Sequence, residues 1–332
     1  MSALHPSQVL FQGEAVPPAL PPVDHYAGSE KLIRKALALQ RERGPRFDIT
    51  CDCEDGAPAG REAEHATLCA ELVMSTDNAF GRVGARIHDH SHPHWRADLD
   101  ILVRIAGTRL AYLTLPKPRA LADVESQLAA LRLTEQTHGI GRRIPVHVLV
   151  ETHGALRDAW AIAQLPGVEC LDFGLMDFVS AHHGAIPSTA MRSPGQFDHP
   201  LLRRAKCEVA AAALGNGVVP AHNVTTALRD TEIVTNDARR AREEFGFLRM
   251  WSIHPDQIDP IAEALLPKET EIETASAILL AAQAAHWGPI RHDDTLHDRA
   301  SYRYFWALLA RAHAAGAKMP ADAHRAFFSN AQ

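Results

Sequence analysis

Ionisable side chains stand where short apolar runs stop. Asp52, Glu54 and Asp55 end the run over 47–53, Arg86 and His88 end 83–88, and Lys117 follows 110–116. Glu151 ends 146–151, Asp177 follows 170–176, and His254 ends 249–254. Unpaired buried charge costs several kcal/mol, so packing alone does not explain so many charged run ends. Glu151 and Asp177 close consecutive runs, and two carboxylates sharing a small volume repel unless a cation lies between them. A hard ion such as Mg²⁺, with Mn²⁺ as the alternative, suits such a pair. It takes one or two carboxylates and keeps waters that substrate oxygens displace. Otherwise, each carboxylate caps a helix or pairs with Arg86 or Lys117. Arg86 presents a planar fork of donors to a carboxylate or a developing oxyanion. Its other role is a bridge to Asp52 or Glu54, which would also orient the guanidinium.

Two further groups carry weaker signals. His88–Trp95 reads H-D-H-S-H-P-H-W. Alternating histidines suggest a transition-metal site, but alternation in a loop containing proline does not make four imidazoles converge. The expectation is a polar loop, with His88 near substrate. His254, before Pro255, reads as a core or capping histidine. Asp293, Asp294 and Asp298 read as solvated hinge charges or as a lid acid or base.

The elements that must hold these groups alternate. Strand-like runs are expected at 23–27, 47–53, 83–88, 110–116, 146–151, 170–176, 218–223 and 249–254, with helical periodicity between them. Leu32, Ile33, Ala36 and Leu37 form one stripe; Ala66, Cys69, Ala70 and Val73 form another at i, i+3, i+4, i+7. Eight such units predict an α/β fold, a closed parallel (β/α)8 TIM barrel whose reactive groups gather at the C-terminal ends of the strands. An open doubly wound sheet would bind nucleotides through a G-x-G-x-x-G turn, and no run is followed by one. The expected organisation is an irregular segment over 1–20, the barrel over 21–267 and a helical extension over 268–332. That extension has one helix through Ile272, Ala275, Leu279 and Ala282, another through Tyr302, Phe305, Trp306 and Leu309, and a polar hinge at 287–299. It is expected to act as a lid or to contact a neighbouring subunit.

Composition narrows the classes. The chain has 332 residues, 46% hydrophobic content and a net charge of -6, which excludes the concentrated basic face of a nucleic-acid binder. No apolar run approaches the ~18 residues of a membrane span, and the N-terminus lacks the basic and apolar regions of a secretory signal. Five cysteines without a C-x-x-C pair fit a reducing, cytoplasmic compartment. Cys51 and Cys53 alternate on one strand and should share a face.

With these residues in place, the chain resembles the citrate lyase beta-chain group of the HpcH/HpaI aldolase superfamily over about residues 20 to 285. Asp52-Cys53-Glu54-Asp55-Gly56 resembles its D-L-E-D segment, and Gly84-Ala85-Arg86-Ile87-His88 its V-R-x-N strand. Leu115-Pro116-Lys117 matches L-P-K, and Val150-Glu151-Thr152-His153-Gly154-Ala155-Leu156 matches I-E-T-x-x-A-L. Gly174-Leu175-Met176-Asp177-Phe178 matches G-x-x-D-L/F, and Trp251 to Ile258 resembles K-x-x-I-H-P-x-Q-I. The departures are His88 in place of asparagine, Asp24-His25-Tyr26-Ala27-Gly28 in place of L-F-V-P-G, and Asn223 where an acidic residue is frequent.

The resemblance implies a Mg²⁺-dependent lyase that cleaves 3-hydroxyacyl-CoA thioesters of the malyl, citramalyl or citryl type to acetyl-CoA and a 2-keto acid. It implies metal ligands Glu151 and Asp177, and a catalytic group of Arg86 with Asp52, Glu54 and Asp55. It also implies substrate contacts from Lys117, His88, Gly174, Leu175 and Met176, and a homotrimer or hexamer. Two alternatives stand beside it. A CoA-independent pyruvate aldolase would carry D-x-E-H, where this chain has Asp55. A non-catalytic metabolite-binding subunit would bind no Mg²⁺.

Overall fold

The computed structural model describes residues 4–329 apart from 12, 15 and 58. The chain divides into two compact units, one of Leu20–Leu265 and one of Met1–Ala19 with Leu266–Gln332.

In the first unit eight strands close a barrel: β1 Val23–Ala27, β2 Phe47–Asp52, β3 Val83–Arg86, β4 Leu113–Leu115, β5 Val146–Val150, β6 Val168–Phe173, β7 Val219–His222 and β8 Arg249–Ser252. Every pairing is parallel, and β8 returns to β1 with Met250 opposite Val23. Helices fill the crossovers, so the fold is a (β/α)8 barrel. The crossovers start and stop on local chemistry. Ser29 accepts the Leu32 N–H to begin Glu30–Arg43. Asp230 accepts the Ile233 N–H to begin Thr231–Phe245, and Gly246 ends that helix at φ 78°, a conformation costly for residues with a Cβ.

The strand runs read as apolar, and the inner face of the barrel departs from this. Outer-facing residues such as Ile49, Val83, Val148 and Leu171 join a continuous core with the helices. Inside, Arg249 is wholly buried, 2.8 Å from Asp48 and 3.2 Å from Asp24. The hydroxyls of Thr50 and Tyr112 donate to Asp24 at 2.7 and 3.0 Å. Above this polar layer lie Tyr26, Leu149, Val219, Ala221 and Trp251.

Several boundaries move. Most strands stop one to three residues before the charged groups that were counted as their ends. The sixth run divides at Gly174: β6 stops at Phe173, and Leu175–Ser180 is a helix, so Asp177 lies in a first helical turn. The expected helix between β3 and β4, whose stripe the sequence reading did not assign, is Trp95–Ala106, which buries Leu99, Leu102, Val103 and Ala106.

In the second unit Glu269–Ala284 and Arg299–Ala314 bury Ile272, Ala275, Leu279, Ala282, Tyr302, Trp306 and Leu309. The expected polar hinge is a two-stranded antiparallel hairpin, Ile290–His292 with Thr295–His297. The described residues of 4–19 group with these helices. Pro6–Val9 is helical, Leu10 is buried, and Arg303 reaches Glu14 at 2.6 Å. Among the described residues no helix is long and apolar enough to cross a membrane.

Candidate active site

The C-terminal ends of the barrel strands surround a cavity of about 210 Å³. Its lining includes Asp52, Asp55, Arg86, Glu151, Gly174, Leu175, Met176 and Asp177.

Arg86 is the most constrained of these. Its Nε and Nη2 donate to the two oxygens of Asp52 at 2.7 and 2.6 Å, and Nη1 lies 3.0 Å from Glu54. Asp52 is fixed in turn by the N–H groups of Glu54 and Gly56, at 3.0 and 2.8 Å. Burial would raise the Asp52 carboxyl, but Arg86 and the two backbone donors hold it below the usual range. Three of the five guanidinium N–H groups are engaged; the rest are available to a ligand in the cavity. Both expected roles of Arg86 are therefore compatible, since the bridge orients the fork.

Lys117 joins the same cluster from the loop after β4. Its ammonium lies 2.8 Å from both Glu54 and Asp55 and 3.8 Å from Asp177. Burial would lower its pKa, and these carboxylates raise it instead. Its backbone has φ 50°, and its N–H donates to Glu151 Oε1 at 2.8 Å.

Glu151 is 2% exposed, and among the described residues no basic side chain forms an ion pair with it. Burial, followed by the negative charge of Asp177, pushes its carboxyl up to about 8. Gly174 packs against it so closely that an added Cβ would lie 2.3 Å from Oε2 and 2.5 Å from the Glu151 Cβ. Asp177 is half-exposed. A buried carboxylate lacking a cationic side chain, with a second carboxylate on the same cavity, is a donor set that a hard divalent cation fits.

The remaining expected site residues differ in place. Met176 is exposed at the rim, whereas Leu175 is buried. His88 is absent from the cavity lining, because its Nδ1 is held 2.5 Å from Asp98, in the Trp95–Ala106 helix. The histidine run does not converge. His90 pairs with Asp123 and His94 with Glu62, while His92 stacks on His88. His254 caps the turn at Pro255–Gln257. In the other unit, Asp293 and Asp294 form the hairpin turn with positive φ, and Asp294 pairs with Arg291. Asp298 caps Arg299–Ala314 by accepting the Ala300 N–H at 3.0 Å.

Sequence reasoning missed Tyr26 and Trp251, whose stacked rings, with centroids 4.5 Å apart, line the cavity beside Asn223, Val224 and Ile253. The Arg86 guanidinium lies 5.3 Å from the centre of the Tyr26 ring. The available signal was alternation: Tyr26 lies two residues after Asp24 on the inward face, and Trp251 two after Arg249.

A parallel barrel with acidic and guanidinium groups at the strand ends is a frame on which a carbon–carbon lyase can be built. The chain belongs to the HpcH/HpaI aldolase/citrate lyase family, whose profile matches residues 48–255. It is similar to a crystal structure of a citrate lyase from Burkholderia xenovorans, with 59% identity, a TM-score of 0.87, and coverage of 98% of this chain and 100% of that one. It is also similar to an L-malyl-CoA/beta-methylmalyl-CoA lyase of Cereibacter sphaeroides, 26% identical over 285 residues, covering 83% of this chain and 88% of the relative. The fold is shared with CitE of Mycobacterium tuberculosis, crystallised with magnesium, acetoacetate and coenzyme A. That match has 21% identity and a TM-score of 0.67, and covers 89% of this chain and 99% of that one.

Proposed function

We propose that the protein cleaves a 3-hydroxyacyl-CoA thioester of the malyl, citramalyl or citryl type to acetyl-CoA and a 2-keto acid, with Mg²⁺ held by Glu151 and Asp177. The observation that carries this reading is the Glu151 carboxylate, buried without a basic side-chain partner beside Asp177. The names of the malyl-CoA lyase relative and of the CitE complex support the thioester and the ion. A divalent cation bound there would polarise a hydroxyl or keto oxygen.

The chain's own residues supply the rest. Asp52 and Glu54 fix the Arg86 fork, whose free N–H groups face charge developing on the thioester oxygen as the carbon–carbon bond breaks. Lys117 keeps Glu54 and Asp55 together and gives Glu151 an amide donor. Tyr26 and Trp251 wall the reacting carbons from water. The cavity takes the acid head, and the nucleotide end of CoA lies outside it. On the same reading the chain assembles as a trimer or hexamer, which a mass from light scattering checks.

The test offers the full chain with Mg²⁺ malyl-, citramalyl- and citryl-CoA, and separately free 4-hydroxy-2-keto acids. Release of acetyl-CoA from one thioester, abolished in Glu151→Gln, is expected. Pyruvate release from free keto acids with every thioester untouched would instead establish a CoA-independent aldolase.

A further inference from the structure

We infer that the floor of the barrel holds a second metal site, separate from the Glu151–Asp177 pair. It would be built by His147, Cys170 and Asp172 and suited to a borderline cation of the zinc type.

The three side chains are buried in the lumen, and one donor atom from each lies within 4.8 Å of the others. The imidazole is prepared as a ligand. His147 Nε2–H donates to Glu169 Oε1 at 3.1 Å, which places the proton on Nε2 and leaves a bare lone pair on Nδ1. A metal-bound histidine characteristically gives its other ring N–H to a carboxylate in this way. The fold spends a backbone irregularity on the contact. The β5–β6 register shifts so that Val146 faces Val168 but His147 faces Cys170, and Glu169 is the extra residue.

The cluster also contains polar atoms that are buried without a hydrogen-bond partner: His147 Nδ1 and Asp172 Oδ2. Oδ1 of Asp172 is engaged, accepting the Trp251 indole N–H at 2.8 Å and the Cys170 thiol at 3.5 Å. The Arg249 guanidinium forms its ion pairs with Asp24 and Asp48. Among the described residues no basic side chain forms an ion pair with the fully buried Asp172, and a cation bound by Oδ2, Nδ1 and Sγ would answer the two unpartnered atoms and take up the thiol sulfur. One nitrogen, one sulfur and one carboxylate oxygen are donors that zinc accepts and magnesium does not favour.

The other close group, Cys53, His65 and Cys69, is less suited, because the nitrogen that faces the thiol, His65 Nε2, 3.6 Å from Cys69 Sγ, is itself bonded to the Asp52 carbonyl at 2.9 Å. Trp251 connects the inferred site to the catalytic cavity, since its ring lines that cavity while its N–H holds Asp172.

The test uses the full chain, stripped with chelator and then dialysed against Co²⁺ with Mg²⁺ in excess. One bound Co²⁺ with a thiolate-to-metal charge-transfer band in the near ultraviolet is expected, lost in Cys170→Ser and in His147→Gln and kept in Glu151→Gln. No such band in the wild type overturns the inference. So does a band that survives Cys170→Ser but disappears in Cys69→Ser. Should the lumen variants not fold, X-ray absorption on the Zn²⁺-loaded wild type decides: one sulfur neighbour per zinc is expected, and two or more, or none, contradict the site.

Discussion

The backbone N–H of Lys117 donates to Glu151 at 2.8 Å, while its ammonium turns to Glu54 and Asp55, 2.8 Å from each. One residue with φ 50° therefore offers Glu151 a dipole and withholds its charge. Asp177, the charge that most raises Glu151, has only a 3.8 Å contact with that ammonium, so the pair keeps a demand for a cation.

That demand has a pH signature. In the metal-free protein Glu151 rises from an ordinary 4.5 to about 8 on folding. Between those values the folded state holds a proton that the unfolded chain has released. The stability from this group is full below about 4.5 and is lost as pH rises through 8. With chelator present, Glu151→Gln should match the wild type near pH 4.5 and exceed its melting temperature by several degrees at pH 8.5, each kcal/mol being worth roughly 2–4 °C. Calorimetric scans across pH check this; equal melting temperatures at both ends would contradict it.

Gly174→Ala places a methyl where Glu151 Oε2 lies 2.3 Å away. At φ -96° the backbone itself accepts alanine, so the clash is steric and directed at the carboxylate. Divalent-ion affinity should fall about tenfold or more, as it does when a ligand's supporting shell is disturbed. Mg²⁺ titration with a circular dichroism control measures it.

Arg86→Lys keeps a charge but loses the fork that engages Asp52 at 2.7 and 2.6 Å. A lysine cannot satisfy both Asp52 oxygens and also face the cavity. Turnover should drop by about 10²–10³, the usual loss of an oxyanion donor, with a much smaller change in Mg²⁺ affinity. Steady-state kinetics beside metal titration separate the two effects.

Asp298 separates a cap from an acid. Asparagine caps a helix as well as aspartate does, and alanine costs about 1 kcal/mol. Asp298→Asn should keep both stability and turnover, while Asp298→Ala lowers the stability of the Arg299–Ala314 helix. Loss of turnover in the asparagine variant with an unchanged melt would assign Asp298 a proton-transfer role.

The barrel was legible because each crossover carries its own cap and stripe, and because β1 and β2 begin where apolar or β-branched residues begin, at Val23 and Phe47. The strand ends were less legible. A charged residue just past a strand reads as part of it, and at 170–176 the run stays apolar through Gly174 although the backbone turns into a helix there. The bounds of the Trp95–Ala106 helix were less legible, because it starts at His94 without a side-chain cap and its Leu99, Leu102, Val103 and Ala106 stripe begins only in the second turn. Candidate residues fixed by strand ends, such as Arg86 and Glu151, fell where expected. His88 did not, since its partner Asp98 lies on that helix and draws the ring away from the cavity. The polar lumen was hidden as well, because Asp24, Asp48 and Arg249 pair only once the barrel closes.

On the proposed function, Glu151 and Asp177 share one hard cation. Calorimetric titration of the chelator-stripped protein with Mg²⁺ at pH 8, in the wild type, Glu151→Gln and Asp177→Asn, tests it most directly. One site in the wild type, abolished in the first variant and weakened at least tenfold in the second, is predicted. Equal Mg²⁺ affinity in all three would contradict it.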